Sequence, residues 1–321
     1  MEGSDLGEAR VDWRPAVDVV VPTHNRAEVV CRCVESLLRG AWADFRVTVV
    51  DDASSDGTGD LVARRLLGDG RVRYVRSETN LRQAGARNLG ARVSSAELVL
   101  FLDDDNVADV DLLKELVGCA ARHPELGLIA PLSVQGGSGV VWTLGSSFDF
   151  WTSRPVNVAA NRPVGEVDLS REVYPTCYSP NAFLVRRSAL EAVGGFDRSY
   201  GVMYEEADFG YRIVEAGFGG GVCPAARTVH WQCVGQGENG ALRHLGIESR
   251  ERAWLFARNR SVFLRRHAPW PKRWVALWVF TPLSAVVYGG IALLNGAPSI
   301  AWAYVKGTVA GLFGRVEPRY D

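Results

Sequence analysis

The sequence lacks the cysteine spacing of a zinc site. Its six cysteines form no closely spaced pairs of the Cys-x-x-Cys type, and they stand at positions 31, 33, 119, 177, 223 and 233. The first residues contain neither a basic segment nor an apolar run, so we expect no secretory signal and a cytoplasmic chain with free thiols. Cys31 and Cys33 lie two positions apart on a predicted helix, which indicates separate buried packing.

An excess of charge of one sign is also lacking, because 36 Lys and Arg face 37 Asp and Glu, a net charge of -1. This balance gives no general attraction to nucleic acid. No Gly-x-Gly-x-x-Gly loop follows the first predicted strand, which disfavours a dinucleotide-dependent dehydrogenase, and no Gly-Lys-Ser/Thr loop is present for a P-loop NTPase. A nucleotide bound by this chain must therefore be held by side chains and a metal ion.

The sequence does contain a regular alternation of strand-like and helix-like segments. The four pairs are 18–22 with 27–39, 46–50 with 57–67, 72–77 with 83–93, and 98–102 with 109–122. Such units predict an α/β fold with a mostly parallel sheet flanked by helices on both faces. The ends of the first, second and fourth strands should then line one crevice. Further strands and loops are expected over 126–187, and helices over 206–216 and 248–266.

Three consecutive carboxylates, Asp103, Asp104 and Asp105, follow the apolar run Leu98–Leu102. That run has the length and continuity of a strand buried on both faces, and ligands of α/β sheets collect at the carboxyl ends of such strands. So many like charges beside a buried strand call for a compensating cation, because their mutual repulsion disfavours ionisation. The trio is therefore a candidate metal site.

The ends of the first two strands carry polar side chains suited to a nucleotide. Pro22-Thr23-His24-Asn25-Arg26 ends the first strand, and Asp52 lies at the end of the second. A carboxylate in that place can accept hydrogen bonds from a base N–H or a ribose hydroxyl. Capping of a turn or helix is the alternative for Asp52, and it is the preferred expectation for Asp56.

The sequence indicates less clearly which side chains would bind a diphosphate and a sugar. Arg82 and Arg87 lie at a loop-to-helix junction within 80–90, and both arginine and a helix N-terminus suit a diphosphate. Pairing with surface carboxylates is an equally open alternative. Trp142, Trp151 and Trp231 could stack on sugar rings, but packing in the core or under loops is the preferred expectation for each.

The order of these motifs resembles the family 2 glycosyltransferases of GT-A fold, in particular bacterial rhamnosyl- and galactofuranosyltransferase-like members. The segments that carry the likeness are 19–26, 49–58, 80–90, 101–106 (Phe-Leu-Asp-Asp-Asp-Asn), 193–197 (Val-Gly-Gly-Phe-Asp) and 204–212 (Tyr-Glu-Glu-Ala-Asp-Phe-Gly-Tyr-Arg). Each is weak alone, but six in the family's order across about residues 17–231 are specific. The resemblance implies inverting transfer of a sugar from a nucleotide-diphosphate donor, with Mn²⁺ or Mg²⁺. The expected donor nucleotide is UDP or dTDP, and the expected acceptor is a glycan or glycolipid; residues 250–314 motivate the hypothesis of a polyprenyl-linked acceptor.

The same resemblance implies roles for residues at the strand ends. Thr23, Arg26 and Asp52 would contact the base and Asp104 the ribose. Asp105 would bind the metal, with Asp103 as a second candidate ligand. The other residues expected in the nucleotide-sugar site are Pro22, Asn25, Arg82, Arg87 and Asp103.

His230 and two glutamates complete the expected site. The resemblance implies that His230 is a metal ligand, which favours Mn²⁺ over Mg²⁺, whereas the residue alone indicates a packed core histidine. Inverting displacement needs a carboxylate opposite the leaving diphosphate to take the acceptor's proton, and Glu206 fits that place. The family commonly has Glu-Asp where this chain has Glu205-Glu206, so Glu205 is a second candidate. Asp208 is expected to pair with Arg212.

The C-terminal part of the chain is apolar. Residues 274–294 contain no charge over 21 positions, enough to cross a bilayer core of ~30 Å as a helix, although Pro282 weakens the prediction. A second apolar segment, 299–314, follows, and basic residues dominate 250–273, as on the cytoplasmic side of a membrane. We expect attachment to the cytoplasmic face of the cell membrane, with a buried helical hairpin as the alternative. The predicted order is a flexible tail (1–14), a GT-A catalytic domain (15–235), a basic helical region (236–270) and a membrane-associating segment (271–321).

Two other function classes stay open at this point. A sugar-phosphate nucleotidyltransferase also uses a Rossmann-like sheet and a carboxylate-held metal, but the Gly-rich, Lys-bearing loop that it needs after the first strand is missing. A non-catalytic protein would keep the nucleotide pocket and present the basic C-terminal region to membranes or partners. Pyrophosphate release would identify the first class, and the second would release nothing.

Overall fold

Strands and helices alternate along the chain as the apolar pattern predicts. The computed structural model describes residues 17–231, 242–243 and 245–320. The strands are β1 (Val17–Thr23), β2 (Phe45–Asp51), β3 (Val72–Arg76), β4 (Leu98–Leu102), β5 (Asn106–Ala108), β6 (Leu126–Gln135), β7 (Val141–Thr143), β8 (Ser146–Asp149), β9 (Arg154–Asn157), β10 (Tyr174–Pro175), β11 (Ala182–Arg186) and β12 (Gly219–His230). The helices are α1 (Ala27–Leu38), α2 (Thr58–Arg65), α3 (Arg82–Val93), α4 (Leu112–Arg122), α5 (Arg187–Val193), α6 (Glu205–Glu215), α7 (Arg250–His267), α8 (Lys272–Leu294) and α9 (Pro298–Phe313).

A ten-stranded sheet forms the centre of the fold. Its order is β10-β12-β6-β11-β4-β1-β2-β3, with β5 paired to β12 and β7 paired to β6. Strands β4, β1, β2 and β3 run parallel, whereas β11 lies antiparallel between β4 and β6. Strands β8 and β9 form a separate hairpin. The predicted α/β class is therefore confirmed, and all four predicted strand–helix units are present.

The sheet is covered by apolar packing on both faces. In β1, Val19 and Val21 pack in the cluster that contains α1, whereas Val20 packs in the cluster that contains α3, as the alternation of side chains along a strand requires. Helix α3 lies very close to β1, because a Cβ added to Gly90 would stand 2.2 Å from Val20 Cγ1. Only glycine permits this approach.

The three C-terminal helices form a layer beside the sheet domain. Helix α9 packs against the backbone of α7, since a Cβ on Gly307 or Gly311 would lie 2.3 Å from the Trp254 carbonyl oxygen or 2.4 Å from that of Arg258. Helix α8 packs on α9 through stacked rings of Tyr288 and Tyr304, whose centroids are 5.0 Å apart. The layer is thus a packed helical assembly, close to the predicted hairpin alternative, with one face of α8 exposed.

Helix α8 continues through Pro282, contrary to the expectation that this proline weakens it. A wider π-helical turn, Ala276–Phe280, comes directly before the proline. The Thr281 hydroxyl donates to the Ala276 carbonyl at 2.9 Å, which stabilises the turn where the regular hydrogen-bond pattern is interrupted.

The end of the chain returns to the sheet domain, which the sequence did not predict. The Arg319 N–H donates to Asp197 Oδ1 at 2.8 Å, and the Asn88 side-chain amide donates to the Tyr320 carbonyl at 3.2 Å. The C-terminal end of this layer is therefore attached to the sheet domain. The predicted tail at 1–14 and Cys233 lie outside the described residues. The other five cysteines are free, and Cys31 and Cys33 are buried as predicted.

Candidate active site

A cleft of about 670 Å³ opens at the carboxyl ends of β1, β2 and β4. This confirms the expectation that these three strand ends share one crevice. The predicted site residues that line it are Pro22, Thr23, Arg26, Asp52, Arg82, Asp103, Asp104 and Asp105. Asn25, Arg87, Glu205, Glu206 and His230 are not among the lining residues, and their positions are described below.

Asp104 connects the ends of β1 and β4. Its two carboxylate oxygens accept hydrogen bonds from the Thr23 hydroxyl and the Arg26 guanidinium, both at 2.7 Å. Burial of the carboxyl raises its pKa to about 7, against the opposing effect of the Arg26 charge. Asp104 therefore orients the side chains that the sequence assigned to the nucleotide.

Asp105 and His230 face each other although 125 positions separate them in the sequence. Antiparallel pairing of β5 with β12 sets His230 opposite Asn106, which brings His230 Nε2 to 3.3 Å from Asp105 Oδ1. The Trp142 ring stacks on the imidazole, with centroids 4.1 Å apart and planes 9° apart. Burial alone would raise the pKa of Asp105, but the His230 imidazole and the Arg26 charge outweigh it and lower that pKa.

Arg87, for which donor binding and carboxylate pairing were equally open expectations, is a buried cation paired with carboxylates in the structure. Its side chain is fully buried, and Nη2 donates to Asp103 Oδ1 at 2.6 Å and to Glu206 Oε1 at 2.7 Å. Glu205 Oε1 lies 3.6 Å from Nη1 of the same guanidinium. Because Arg87 Nη2 contacts both carboxylates, the distance between Asp103 Oδ1 and Glu206 Oε1 is at most the sum of the two hydrogen-bond lengths. The strand-end carboxylates and the α6 carboxylates therefore meet at Arg87.

The two glutamates of α6 differ in exposure. The Glu206 side chain is 14% exposed, whereas that of Glu205 is 1% exposed. Burial raises the pKa of Glu205 to about 7. Burial, and next the neighbouring Glu205 carboxylate, raise the pKa of Glu206 well above its ordinary value, while Arg87 acts in the opposite direction. Three carboxylates thus share one guanidinium, which leaves an excess of negative charge there.

The three predicted metal ligands, Asp103, Asp105 and His230, differ in the hydrogen bonds that they make. Both oxygens of Asp103 accept hydrogen bonds from the Gln83 amide at 3.1 Å, and Oδ1 also accepts from Arg87. Within residues 17–231, 242–243 and 245–320, no group of three or more His, Cys, Asp or Glu side chains has the arrangement of a metal site. In this structure the Asp103 carboxylate is therefore held by hydrogen bonds from Gln83 and Arg87.

Asp105 and His230 nevertheless fit a divalent cation. Asp105 Oδ1 is buried and has no hydrogen-bond partner among the described residues, and His230 Nε2 lies 3.3 Å from it. Cations bound beside a diphosphate need only one or two protein carboxylates, because phosphate oxygens and water complete the coordination. A carboxylate oxygen beside an imidazole nitrogen is a donor pair that divalent cations accept.

The remaining predicted residues hold the loops around the cleft. Asp52 Oδ1 accepts a hydrogen bond from the Leu81 N–H at 2.6 Å, and burial raises the pKa of Asp52. Asn25 adopts a φ of 53° and accepts from the Ser55 N–H at 2.7 Å, so it shapes the loop behind the cleft. Arg82 pairs with Glu251 and thereby joins the starts of α3 and α7 across the cleft.

Capping and pairing expectations around the site are confirmed. Asp56 accepts from the Thr58 N–H at 3.0 Å at the start of α2. Asp208 pairs with Arg212 at 2.7 Å. Trp151 and Trp231 do not line the cleft: the Lys272 ammonium lies 5.4 Å from the Trp151 ring and the Arg32 guanidinium 5.8 Å from the Trp231 ring.

Sequence reasoning missed one residue of the site, Gln83. Its side-chain amide binds Asp103, and its only signal was its place between Arg82 and Arg87 in the same motif. Trp142, a candidate for stacking on a sugar ring, stacks on the His230 imidazole instead.

Known proteins resemble this chain both in sequence and in fold. The family model described as "Glycosyl transferase family 2" matches residues 18–194. The amylovoran biosynthesis glycosyltransferase AmsB of Erwinia amylovora is 29% identical over 212 residues, which cover 62% of this chain and 64% of that protein. The GalNAc(5)-diNAcBac-PP-undecaprenol beta-1,3-glucosyltransferase of Campylobacter jejuni is 35% identical over 94 residues, which cover 29% of this chain and 30% of that protein.

The fold has solved counterparts. The mannosyltransferase PcManGT from Pyrobaculum calidifontis, in complex with GDP-Man and Mn²⁺, superposes with a TM-score of 0.56 at 20% identity, over 94% of this chain and 88% of that one. This likeness concerns the fold alone. Matches to the first curated relatives span 33%, 26% and 30% of the lengths of those proteins.

Proposed function

Because this chain belongs to glycosyl transferase family 2, we propose that it transfers a sugar, with inversion at the anomeric carbon, from a nucleotide-diphosphate donor to a glycan or lipid-linked acceptor. One observation carries the proposal: Asp103 at the end of β4 and Glu206 at the start of α6 contact the same nitrogen of Arg87. A donor held at the strand ends would therefore lie next to a carboxylate able to take a proton. Family membership also favours a transferase over the nucleotidyltransferase and the non-catalytic alternatives.

The cleft offers the donor a nucleoside end and a diphosphate end. Asp52 and the Thr23–Asp104–Arg26 group provide hydrogen bonds for a base and a ribose. Arg82 lines the same cleft and would face the diphosphate. UDP or dTDP as the nucleotide, and a rhamnosyl- or galactofuranosyl-type sugar, stay predictions of the sequence.

Asp105 and His230 would hold the divalent cation, with Mn²⁺ favoured by the imidazole. Bound there, the cation would neutralise negative charge that develops on the departing diphosphate. The presence of Mn²⁺ in the structure of PcManGT is consistent with this choice. Trp142 would keep the imidazole in place by stacking.

Glu206 would be the general base. It is the more exposed of the two α6 glutamates, and its raised pKa makes it a stronger proton acceptor once it is ionised. Arg87 would keep it ionised and oriented. Glu205 would act as a positioning residue, because it is buried against the same guanidinium.

A screen of nucleotide sugars with Mn²⁺ tests the proposal by measuring nucleoside diphosphate release with and without acceptor glycans. We expect release that depends on the cation and on the acceptor. Glu206→Gln should leave donor affinity nearly unchanged and remove turnover, whereas Glu191→Gln on α5, which is exposed, should match the wild type. Pyrophosphate as the product would contradict the proposal.

We also propose that the protein lies on the cytoplasmic face of the membrane and that α8 lies in the plane of the interface. Helix α8 is the one described helix long and apolar enough to cross a membrane. It is nevertheless packed along α9, which is packed on α7, and the chain then returns to the sheet domain. Its outward side chains include Trp274, Trp278 and Val286, which are 57%, 49% and 72% exposed. Such an aromatic and aliphatic face suits an interfacial helix.

A further inference from the structure

Arg260 on α7 is a buried cation without a carboxylate partner among the described residues. It is 7% exposed, Nη1 donates to the Ser284 hydroxyl, and Nη2 lies 3.4 Å from the Ser153 carbonyl oxygen. By contrast, Arg266, one and a half turns further along α7, donates to Asp197 at 2.6 Å. A buried guanidinium supported only by neutral oxygens is costly unless an anion joins it.

A small cavity lies beside Arg260. It has a volume of about 150 Å³ between the β8–β9 hairpin, α7 and α8, and Ser153, Tyr204 and Ser284 are among its walls. Ser153 is 2% exposed, and its hydroxyl has no hydrogen-bond partner in the described chain. Ser153 also has a φ of 57°, a conformation that serine rarely adopts. A buried cation and an unpartnered hydroxyl at one cavity are the groups that an anion requires.

The α8 side of the cavity is apolar, whereas exposed Arg154 lines the hairpin side. Leu283 and Val287 of α8 line the cavity and are 51% and 47% exposed. The cavity is smaller than the ~300–1,000 Å³ of pockets that enclose a drug-sized ligand. It is therefore suited to a compact anionic group attached to a long apolar chain.

We infer that this cavity binds the phosphate of the lipid-linked acceptor, with the lipid chain along α8. The choice of the acceptor lipid rests on the proposed glycosyl transfer and on Tyr204, which forms a wall of the cavity and directly precedes Glu205 and Glu206. A phosphate held by Arg260 and Ser153 would place the attached sugar beside the start of α6. The phosphate of an ordinary membrane lipid and free phosphate share this chemistry, so the test separates the three sources.

Binding of the full chain to phosphatidylcholine vesicles tests the inference. The vesicles carry polyprenyl phosphate, the uncharged polyprenol of the same length, or phosphatidylglycerol, and inorganic phosphate is added as a competitor. We expect binding to polyprenyl phosphate to exceed the other two by about 10-fold or more. Equal binding to polyprenol or phosphatidylglycerol would overturn the assignment, and so would full displacement by inorganic phosphate at concentrations similar to those of the lipid.

Variants of cavity residues test whether the preference for polyprenyl phosphate depends on the cavity. Arg260→Met should lose about 10- to 100-fold in affinity for polyprenyl phosphate, and Arg260→Lys should lose less because it keeps the charge. Ser153→Gly should lose about 3-fold and keeps the fold, since glycine adopts a positive φ without strain. Arg64→Gln on α2, which is exposed, is the matched control and should bind as the wild type does. Unchanged affinity in folded Arg260→Met or Ser153→Gly, checked by thermal unfolding, would overturn the inference.

The readout is independent of turnover. A chain that prefers polyprenyl phosphate through Arg260 but releases no nucleoside diphosphate from any donor would contradict the proposed function alone. A chain that transfers sugar to a soluble glycan but does not distinguish polyprenyl phosphate from polyprenol would contradict the acceptor site alone.

Discussion

The strand-end cleft and the α7–α9 layer arrange charge and apolar surface in opposite ways. In the cleft, charged side chains such as Asp104 and Arg26 line an opening and the valines of β1 lie behind them in the core. In the C-terminal layer, arginines of α7 point into the protein, while Trp274 and Trp278 of α8 point outward. The first arrangement suits a polar substrate, and the second suits a lipid surface.

The difference teaches that a basic stretch of sequence need not be a basic surface. The sequence of 250–273 indicates a basic face toward lipid headgroups, because few acidic residues lie near it in the chain. In the structure, Arg266 pairs with Asp197 and Asp208, and Arg258 donates to the Ser199 carbonyl at 2.7 Å. Arg265 donates to the carbonyls of Gly311 and Gly314. These partners come from far along the chain, so much of the apparent excess of positive charge is used internally.

The largest expected effect is on turnover at the cleft. Asp105→Ala should lower kcat/KM by about 10³-fold or more through lost cation and diphosphate binding, whereas Glu206→Gln should lower kcat by about 10²- to 10⁴-fold with donor affinity kept. Steady-state kinetics with donor titration measure both. Wild-type turnover in Glu206→Gln would move the base to another residue.

Removal of the central guanidinium should give the largest loss of stability. Arg87→Met leaves Asp103, Glu205 and Glu206 without their common partner, and we expect a loss of about 3 to 5 kcal/mol in the free energy of unfolding. Urea unfolding at neutral pH measures it. Arg65→Met, which removes contacts to exposed Glu28 and half-buried Glu35, should change stability much less. Similar losses for the two variants would mean that Arg87 is not the support for these carboxylates.

A substitution at one glycine should disrupt the packing of α9 on α7 in the C-terminal layer. Gly307→Ala puts a Cβ 2.3 Å from the Trp254 carbonyl oxygen, so we expect a loss of about 1 to 3 kcal/mol. Gly290→Ala on α8 meets nothing within 4 Å and should be neutral or stabilising by up to ~1 kcal/mol, because alanine favours helix. Thermal or urea unfolding separates the two, and equal effects would contradict the observed α7–α9 contact.

Stability of the metal-free protein should fall as pH rises. Burial raises the pKa of Asp104 from 3.8 to about 7 and that of Glu205 from 4.5 to about 7. The folded chain therefore binds these protons more tightly than the unfolded chain, and the stabilisation is full below the ordinary pKa values and lost as pH rises through about 7. We expect a decrease on the order of 1 to 3 kcal/mol between about pH 5 and pH 8. A combined Asp104→Asn and Glu205→Gln variant should reduce this slope, and an unchanged slope in that variant would assign it to other groups.

The smallest expected effect concerns the outward face of α8. Trp274→Ser with Trp278→Ser removes two half-exposed indoles, and we expect vesicle binding to weaken about 10-fold while turnover on a soluble acceptor stays near the wild-type value. Vesicle flotation measures it. Trp231→Ser, which changes an exposed tryptophan directly after β12, is the control. If both variants bind vesicles equally well, α8 is not the contact with lipid.

Much of the sheet domain was predictable because its signals are local. Apolar runs of strand length alternate with amphipathic helices from β1 to α4, and three carboxylates at the end of β4 indicate a site wherever that strand lies. The pairing of Asp208 with Arg212 and the capping role of Asp56 follow from short spacings. The burial of Arg87 was not predictable, since its partners Glu205 and Glu206 come more than a hundred residues later.

The sequence by itself determined which segments are buried, where the strand-end carboxylates stand and to which family the motif order points, because periodicity and short motifs act within a few residues. Only the tertiary structure decided that His230 meets Asp105, that Arg87 joins two groups of carboxylates, and that Arg260 has no carboxylate partner in the part of the chain that is described. These contacts depend on strand register and on the packing of helices distant in the chain. Such contacts are set by the whole fold, and no local pattern contains them.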